Sequence, residues 1–98
     1  MSSERIPAYK DADVTCFLEK TDGVLFIHVD VKHWSVGVYK KFKRILKEIL
    51  DNLDAEGYKY LFAYNVHQDE KWAMFVSMFG FTKAFVKGGL DVYYIGCK

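Results

Sequence analysis

The chain has 98 residues, 51% of them apolar and 17% aromatic, and a formal net charge of +1. That is a single domain with material for a core, though a chain this short buries a smaller share of its surface than a larger one. The near-neutral charge argues against a surface built as a whole for nucleic acid or an anionic membrane, and the single Pro with no low-complexity run argues against disorder.

No apolar run approaches the roughly 20 residues of a membrane span. The polar N-terminus lacks the apolar stretch of a signal peptide. Cys16 and Cys97 belong to no CxxC pair, which fits buried free thiols in a reducing compartment. The expectation is a soluble cytoplasmic protein.

Residues 1–12 are polar and unpatterned and read as a flexible N-terminal arm before one domain, 13–98. Val14 to Lys20 alternates, with Val14, Cys16 and Leu18 on one face, and predicts a strand. Thr21-Asp22-Gly23 signals a hairpin. "VLFIHVDV", 24–31, predicts a second strand: Leu25, Ile27, Val29 and Val31 share one face, and Val24, Phe26, His28 and Asp30 the other. Both faces start apolar, so a central strand covered on both sides is expected.

The clearest helix spans about 36–54. Val38, Phe42, Ile45, Leu46, Ile49, Leu50 and Leu53 recur at helical spacing, and Gly57 follows as a stop. "YKYLFAYN", 58–65, predicts a third strand. In "EKWAMFVSMFGF" the residues Trp72, Phe75, Val76 and Phe79 lie on one face of a short helix, with Asp69 as N-cap and Gly80 as a left-handed stop. Residues 82–87 and 91–97 predict a closing hairpin around Gly88-Gly89. The order is β-β-α-β-α-β-β: an α/β (α+β) fold with a mixed twisted sheet, helices packed on it, and a right-handed crossover through the first helix.

The junction "VDVKHWSVGVYKK" joins a strand to a helix through a short loop. The first N–H groups of that helix lack internal partners, its dipole favours an anion, and Gly37 lets a ligand approach the backbone. The plain alternative is a helix start with a solvated basic face.

The element order, this junction and the closing "MFGF" together resemble the GNAT superfamily of N-acetyltransferases. Lys32-x-x-Ser35-x-Gly37 falls in register with the family's Q/R-x-x-G-x-G/A loop, which holds the pyrophosphate of coenzyme A. Asp69, Trp72, Phe75, Val76 and Gly80-Phe81 fall in register with the family's short helix, N-x-x-A-x-x-L-Y-x-x-x-G-F. The resemblance covers about residues 13–98. It implies acetyl-CoA or coenzyme A as cofactor, bound by Val29, Val31, Lys32, Ser35, Val36, Gly37, Val38, Lys40, Asp69 and Trp72. It also implies a base for the acceptor amine, for which His28 and Asp30 are the candidates. Val76 replaces the family's proton-donating Tyr, and the family's N-terminal helices have no counterpart before Val14.

Two functions compete. One is an acyl-CoA-binding domain acting as an N-acetyltransferase on an amine substrate. The other is a catalytically inactive GNAT-like module that binds or inhibits a protein partner, with a homodimer compatible with either. A nucleic-acid binder ranks third, because no βαββαβ order or RNP run is present. His28, His33 and His67 lack ligand spacing, so no metal site is expected. A nucleophilic role for Cys97 ranks below a core role.

Overall fold

The computed structural model describes residues 4–65 and 70–98. Its elements in chain order are β1 (Glu4–Lys10), β2 (Val14–Thr21), β3 (Val24–Val31), α1 (Val36–Ala55), β4 (Tyr60–Asn65), α2 (Glu70–Met78), β5 (Thr82–Lys87) and β6 (Leu90–Gly96). They form one sheet ordered β1-β2-β3-β4-β6-β5. Strands β3 and β4 are parallel, as a helical crossover requires, and the other neighbours are antiparallel. The Asp69 expected to cap α2 lies outside the described residues.

Strand β1 departs from the sequence expectation. Residues 4–10, read as part of a flexible arm, pair with β2, Ile6 opposite Leu18 and Pro7 opposite Phe17. The segment shows no apolar alternation because it is an edge strand with mostly exposed residues. An edge also tolerates Pro7, which has no N–H to give a ladder. The turn after β1 is tied down. Asp11 Oδ1 accepts hydrogen bonds from the N–H groups of Asp13 and Val14, both at 2.8 Å. Its Oδ2 accepts from the Lys41 ammonium of α1 at 2.8 Å and from the Tyr9 hydroxyl at 2.6 Å.

The inner face of the sheet carries the core. Val14, Cys16 and Leu18 of β2, Leu25 and Ile27 of β3, and Leu61 and Ala63 of β4 are buried against one stripe of α1, running from Val38 through Phe42 to Leu53. Full burial of a side chain of this size contributes about 1.5–3 kcal/mol. Helix α2 joins the same layer through Val76 and Phe79, whose ring meets Phe42 edge-on at 5.0 Å. Cys16 and Cys97 are free and buried. Burial pushes the Cys16 thiol up to about 12 and raises that of Cys97, so neither is a ready thiolate.

Both helices end in the same motif. For α2, the N–H of Gly80 bonds the Ser77 carbonyl and that of Phe81 bonds the Val76 carbonyl, each at 3.1 Å. Gly80 sits at φ 97°, the left-handed position this ending needs. The Gly-Phe pair thereby turns the chain toward β5 and drops Phe81 into the core.

The outer face differs from the expectation of a strand covered on both sides. β3 is central, but among the described residues no helix lies over Val24, Phe26, His28 and Asp30. Phe26 and Val92 are buried there by neighbouring side chains. Phe26 stacks on Tyr64 at 4.3 Å, and Tyr94 meets Tyr60 at 5.7 Å.

Gly80→Val should lower stability by about 1 kcal/mol or more, because a Cβ at φ 97° also meets Ile95 Cδ1 at 3.3 Å; urea denaturation reads this directly. The Asp11 cluster predicts acid sensitivity. The Lys41 ammonium, then the Tyr9 hydroxyl and two backbone N–H groups, hold the Asp11 carboxyl well below the usual range. Its stabilisation is therefore complete above the unfolded value near 4 and is lost as pH falls toward the lower folded value. Asp11→Ala should lower the melting temperature at neutral pH, and its deficit against wild type should shrink as pH falls below about 4.

Candidate functional site

Strands β3 and β4 share the register pair Phe26–Phe62 and then part. The gap opens a cleft of about 610 Å³ toward the helices, bounded by residues 27–31 of β3 and 63–65 of β4. Phe42, Val76 and Phe79 give it an apolar floor. At its mouth Trp34 packs on Phe75, ring centroids 4.1 Å apart. Asn65 is a buried polar residue on the wall. The cleft lies at the C-terminal ends of two parallel strands, where open α/β sheets bind ligands.

Helix α1 starts from the end of β3. Ser35 caps it in extended conformation, and its hydroxyl oxygen accepts from the Val38 N–H at 3.1 Å. The Tyr39 N–H bonds the Ser35 carbonyl at 2.9 Å. That leaves the N–H groups of Val36 and Gly37 without internal partners among the described residues. The first turn holds no acidic residue, so its positive dipole end is uncompensated. Lys32, Gly37 and Lys40 are exposed.

His28 and Asp30 border the cleft from the outer side of β3. His28 Nε2 lies 2.9 Å from Glu19 Oε1, and its ring stacks on Phe17 at 4.6 Å. This fixes the imidazole plane, and an Nε2–H donated to the carboxylate leaves Nδ1 as the proton acceptor.

The predicted site residues thus fall into two groups. His28, Val29, Asp30, Val31 and Trp72 border the cleft, Trp72 also meeting Tyr93 edge-on at 5.4 Å. Lys32, Ser35, Val36, Gly37 and Lys40 cluster in sequence at the start of α1. Val38 is the exception. Its side chain is buried in the core and its N–H is taken by Ser35. Asp69 and His67 lie outside the described residues. Sequence reasoning missed Glu19 and Asn65. The register of the hairpin around Asp22-Gly23 brings Glu19 diagonal to His28, and Asn65 continues the inward alternation Leu61, Ala63. Among the described residues, no group of three His, Cys, Asp or Glu converges as metal ligands. No described helix is long and apolar enough to cross a membrane.

This architecture is similar to solved acetyltransferase structures. An N-acetyltransferase from Staphylococcus aureus Mu50 superposes with TM-score 0.56 at 16% identity, over 87% of this chain and 68% of that one. A protein assigned to the GNAT family from Desulfovibrio desulfuricans gives 0.56 at 18%, over 98% and 69%. An assigned acetyltransferase from Sphaerobacter thermophilus gives 0.53 at 11% over 88% of this chain, which spans only 61% of that protein's length. No family model matches the sequence, and no curated protein matches it. The fold is GNAT-like.

Trp34 is 48% exposed and Phe42 3%. Trp34→Ala should therefore leave stability nearly unchanged, whereas Phe42→Ala should cost about 3–5 kcal/mol; chemical denaturation of both variants checks that Trp34 belongs to the cleft mouth and Phe42 to the core.

Proposed function

We propose that the protein is an acyl-CoA-binding domain that passes an acyl group, acetyl in the simplest case, to an amine. One observation carries this reading: an apolar cleft between parted parallel strands is lined by Trp34, the residue directly before the Ser35 cap of a helix whose first two N–H groups have no partner among the described residues. The donors suit a pyrophosphate. Val36 and Gly37 offer backbone N–H groups, and Ser35, accepting from Val38, still has its own O–H to donate. Lys32 and Lys40 add positive charge, and charge-assisted bonds of this kind are stronger than neutral ones. Acyl-coenzyme A bound there would supply the acyl group from its thioester, and coenzyme A would leave as the thiolate.

The chain's own residues then divide the work. Where β3 and β4 part, facing backbone groups no longer pair with each other and are available to an extended ligand in the manner of an added strand. His28, oriented by Glu19, takes the proton of the amine at Nδ1. Asp30, on the same strand face, favours a cationic acceptor. Val76 is buried and apolar and donates nothing. Catalysis therefore rests on positioning and deprotonation.

A second reading, a GNAT-like module that binds a protein without catalysis, is favoured by Val76 and by the packing of Trp34 on Phe75 at the cleft mouth.

Calorimetric titration with coenzyme A and acetyl-CoA separates the two. The wild type should bind both, and Gly37→Asp should bind at least about tenfold more weakly, since a carboxylate would stand where the phosphate must come. The fold should survive, because a Cβ at Gly37 meets only Ser35 Oγ, at 3.8 Å, and an acidic residue suits a helix start. A wild type that gives no heat with millimolar ligand sinks acyl transfer and leaves the protein-binding reading.

A further inference from the structure

We propose that the uncovered aromatic face of the sheet is the interface of a symmetric homodimer, in which a second copy packs sheet against sheet. The face is built as an interior without a cover. Val92 is 0% exposed although no described helix lies over it. Phe26, Phe62 and Tyr64 form a contiguous ring cluster, with Phe26 between the other two at 5.9 and 4.3 Å. Toward its margins Tyr60 and Phe85 remain 50% and 49% exposed. Val92 and Phe26 expose almost nothing themselves, so the apolar surface on offer is that of Phe62, Tyr64, Tyr60 and Phe85, and exposed apolar patches mark interaction sites.

Charge selects the occupant. A groove of about 320 Å³ crosses the face above Phe26, Phe62 and Tyr64, and both Asp22 and Lys87 line it. Asp22 belongs to the turn between β2 and β3, and Lys87 to the far end of β5. Neither has an ion-pair partner among the described residues. The groove's other charged residue, Glu19, pairs with His28. A face so balanced does not suit a polyanion or an anionic membrane. It suits itself. A two-fold axis in the plane of the interface, perpendicular to the line from Asp22 to Lys87, sets each Asp22 over the second copy's Lys87. The alternative axis, parallel to that line, opposes like charges.

The area is sufficient. Strands spaced by about 4.8 Å and rising about 3.3 Å per residue give the five strands from β2 to β5 roughly 500 Å² of flat face per copy. Two copies reach about 1,000 Å², the lower bound of a specific interface. A dimer of moderate affinity follows, packed as a β-sandwich with sheets about 10 Å apart. The inference is independent of coenzyme A binding, because the cleft opens on the other side of the sheet.

Sedimentation equilibrium of the full chain, from micromolar to millimolar concentration, tests the proposal. The wild type should reach twice the 11.4 kDa chain mass. Phe62→Lys should be monomeric with an unchanged far-ultraviolet spectrum, while Met74→Lys, on the exposed side of α2, should still dimerise. Asp22→Lys and Lys87→Asp should each weaken the homodimer at least about tenfold, and an equimolar mixture of the two should restore association as a heterodimer. A wild type that stays monomeric throughout overturns the proposal. So does a folded Phe62→Lys that still dimerises, or a dimer lost in Met74→Lys.

Discussion

The parting of β3 and β4 is the constraint on which the rest of the molecule depends. The two strands are held parallel by the crossover through α1, yet they share the register pair Phe26–Phe62 before separating. Aromatic bulk lies on the helix side of the gap. Phe42, Phe75 and Phe79 pack against one another beneath the gap, at centroid distances from 4.7 to 6.1 Å. Strands relieved of pairing lose ladder hydrogen bonds, and each unpaired buried amide is costly unless water or a ligand satisfies it. The cleft is therefore a place where the fold gives up stability, as binding sites commonly do. The same geometry sets the start of α1 at the end of β3, so cleft and helix terminus come from one decision in the chain path.

The two faces of the sheet divide the molecule's chemistry. The inner face holds the aliphatic core and both helices, and it carries the cleft. The outer face holds ring on ring, with no helix above it among the described residues. His28 and Asp30 sit where these regions meet, bordering the cleft from the outer side. An acceptor arriving from that side would meet the imidazole held by Glu19, while a cofactor would approach from the α1 terminus.

Much of the fold was legible in the sequence. The α1 periodicity and the Gly57 and Gly80 stops are local signals, and the helix bounds fall within two residues of expectation. The parallel pairing of β3 and β4 followed from the helix between them. Strand β1 was not legible, because its order comes from pairing with β2 and from the Asp11–Lys41 contact across the chain, not from its own pattern. The open outer face was hidden for a related reason. Apolar residues on a strand face signal burial, but they do not say whether a helix or neighbouring rings provide it. Near α1, the helix start and its Ser35 cap could be read from the local sequence. Glu19 could not be read alone, since its meaning depends on the hairpin register that sets it beside His28. At Val38 the helix stripe and the Ser-x-Gly stretch overlap in sequence, and the structure shows its side chain in the core.

The central claim is that the gap between β3 and β4, with the first turn of α1, receives a pantetheine-phosphate ligand. Amide chemical-shift mapping with coenzyme A tests it most directly. The account predicts that the largest changes fall on Val36 and Gly37 and on the facing stretches 28–31 of β3 and 63–65 of β4, with β1 and the outer groove silent. Changes confined to the outer groove around Phe62 and Phe85, or none at millimolar ligand, would contradict it.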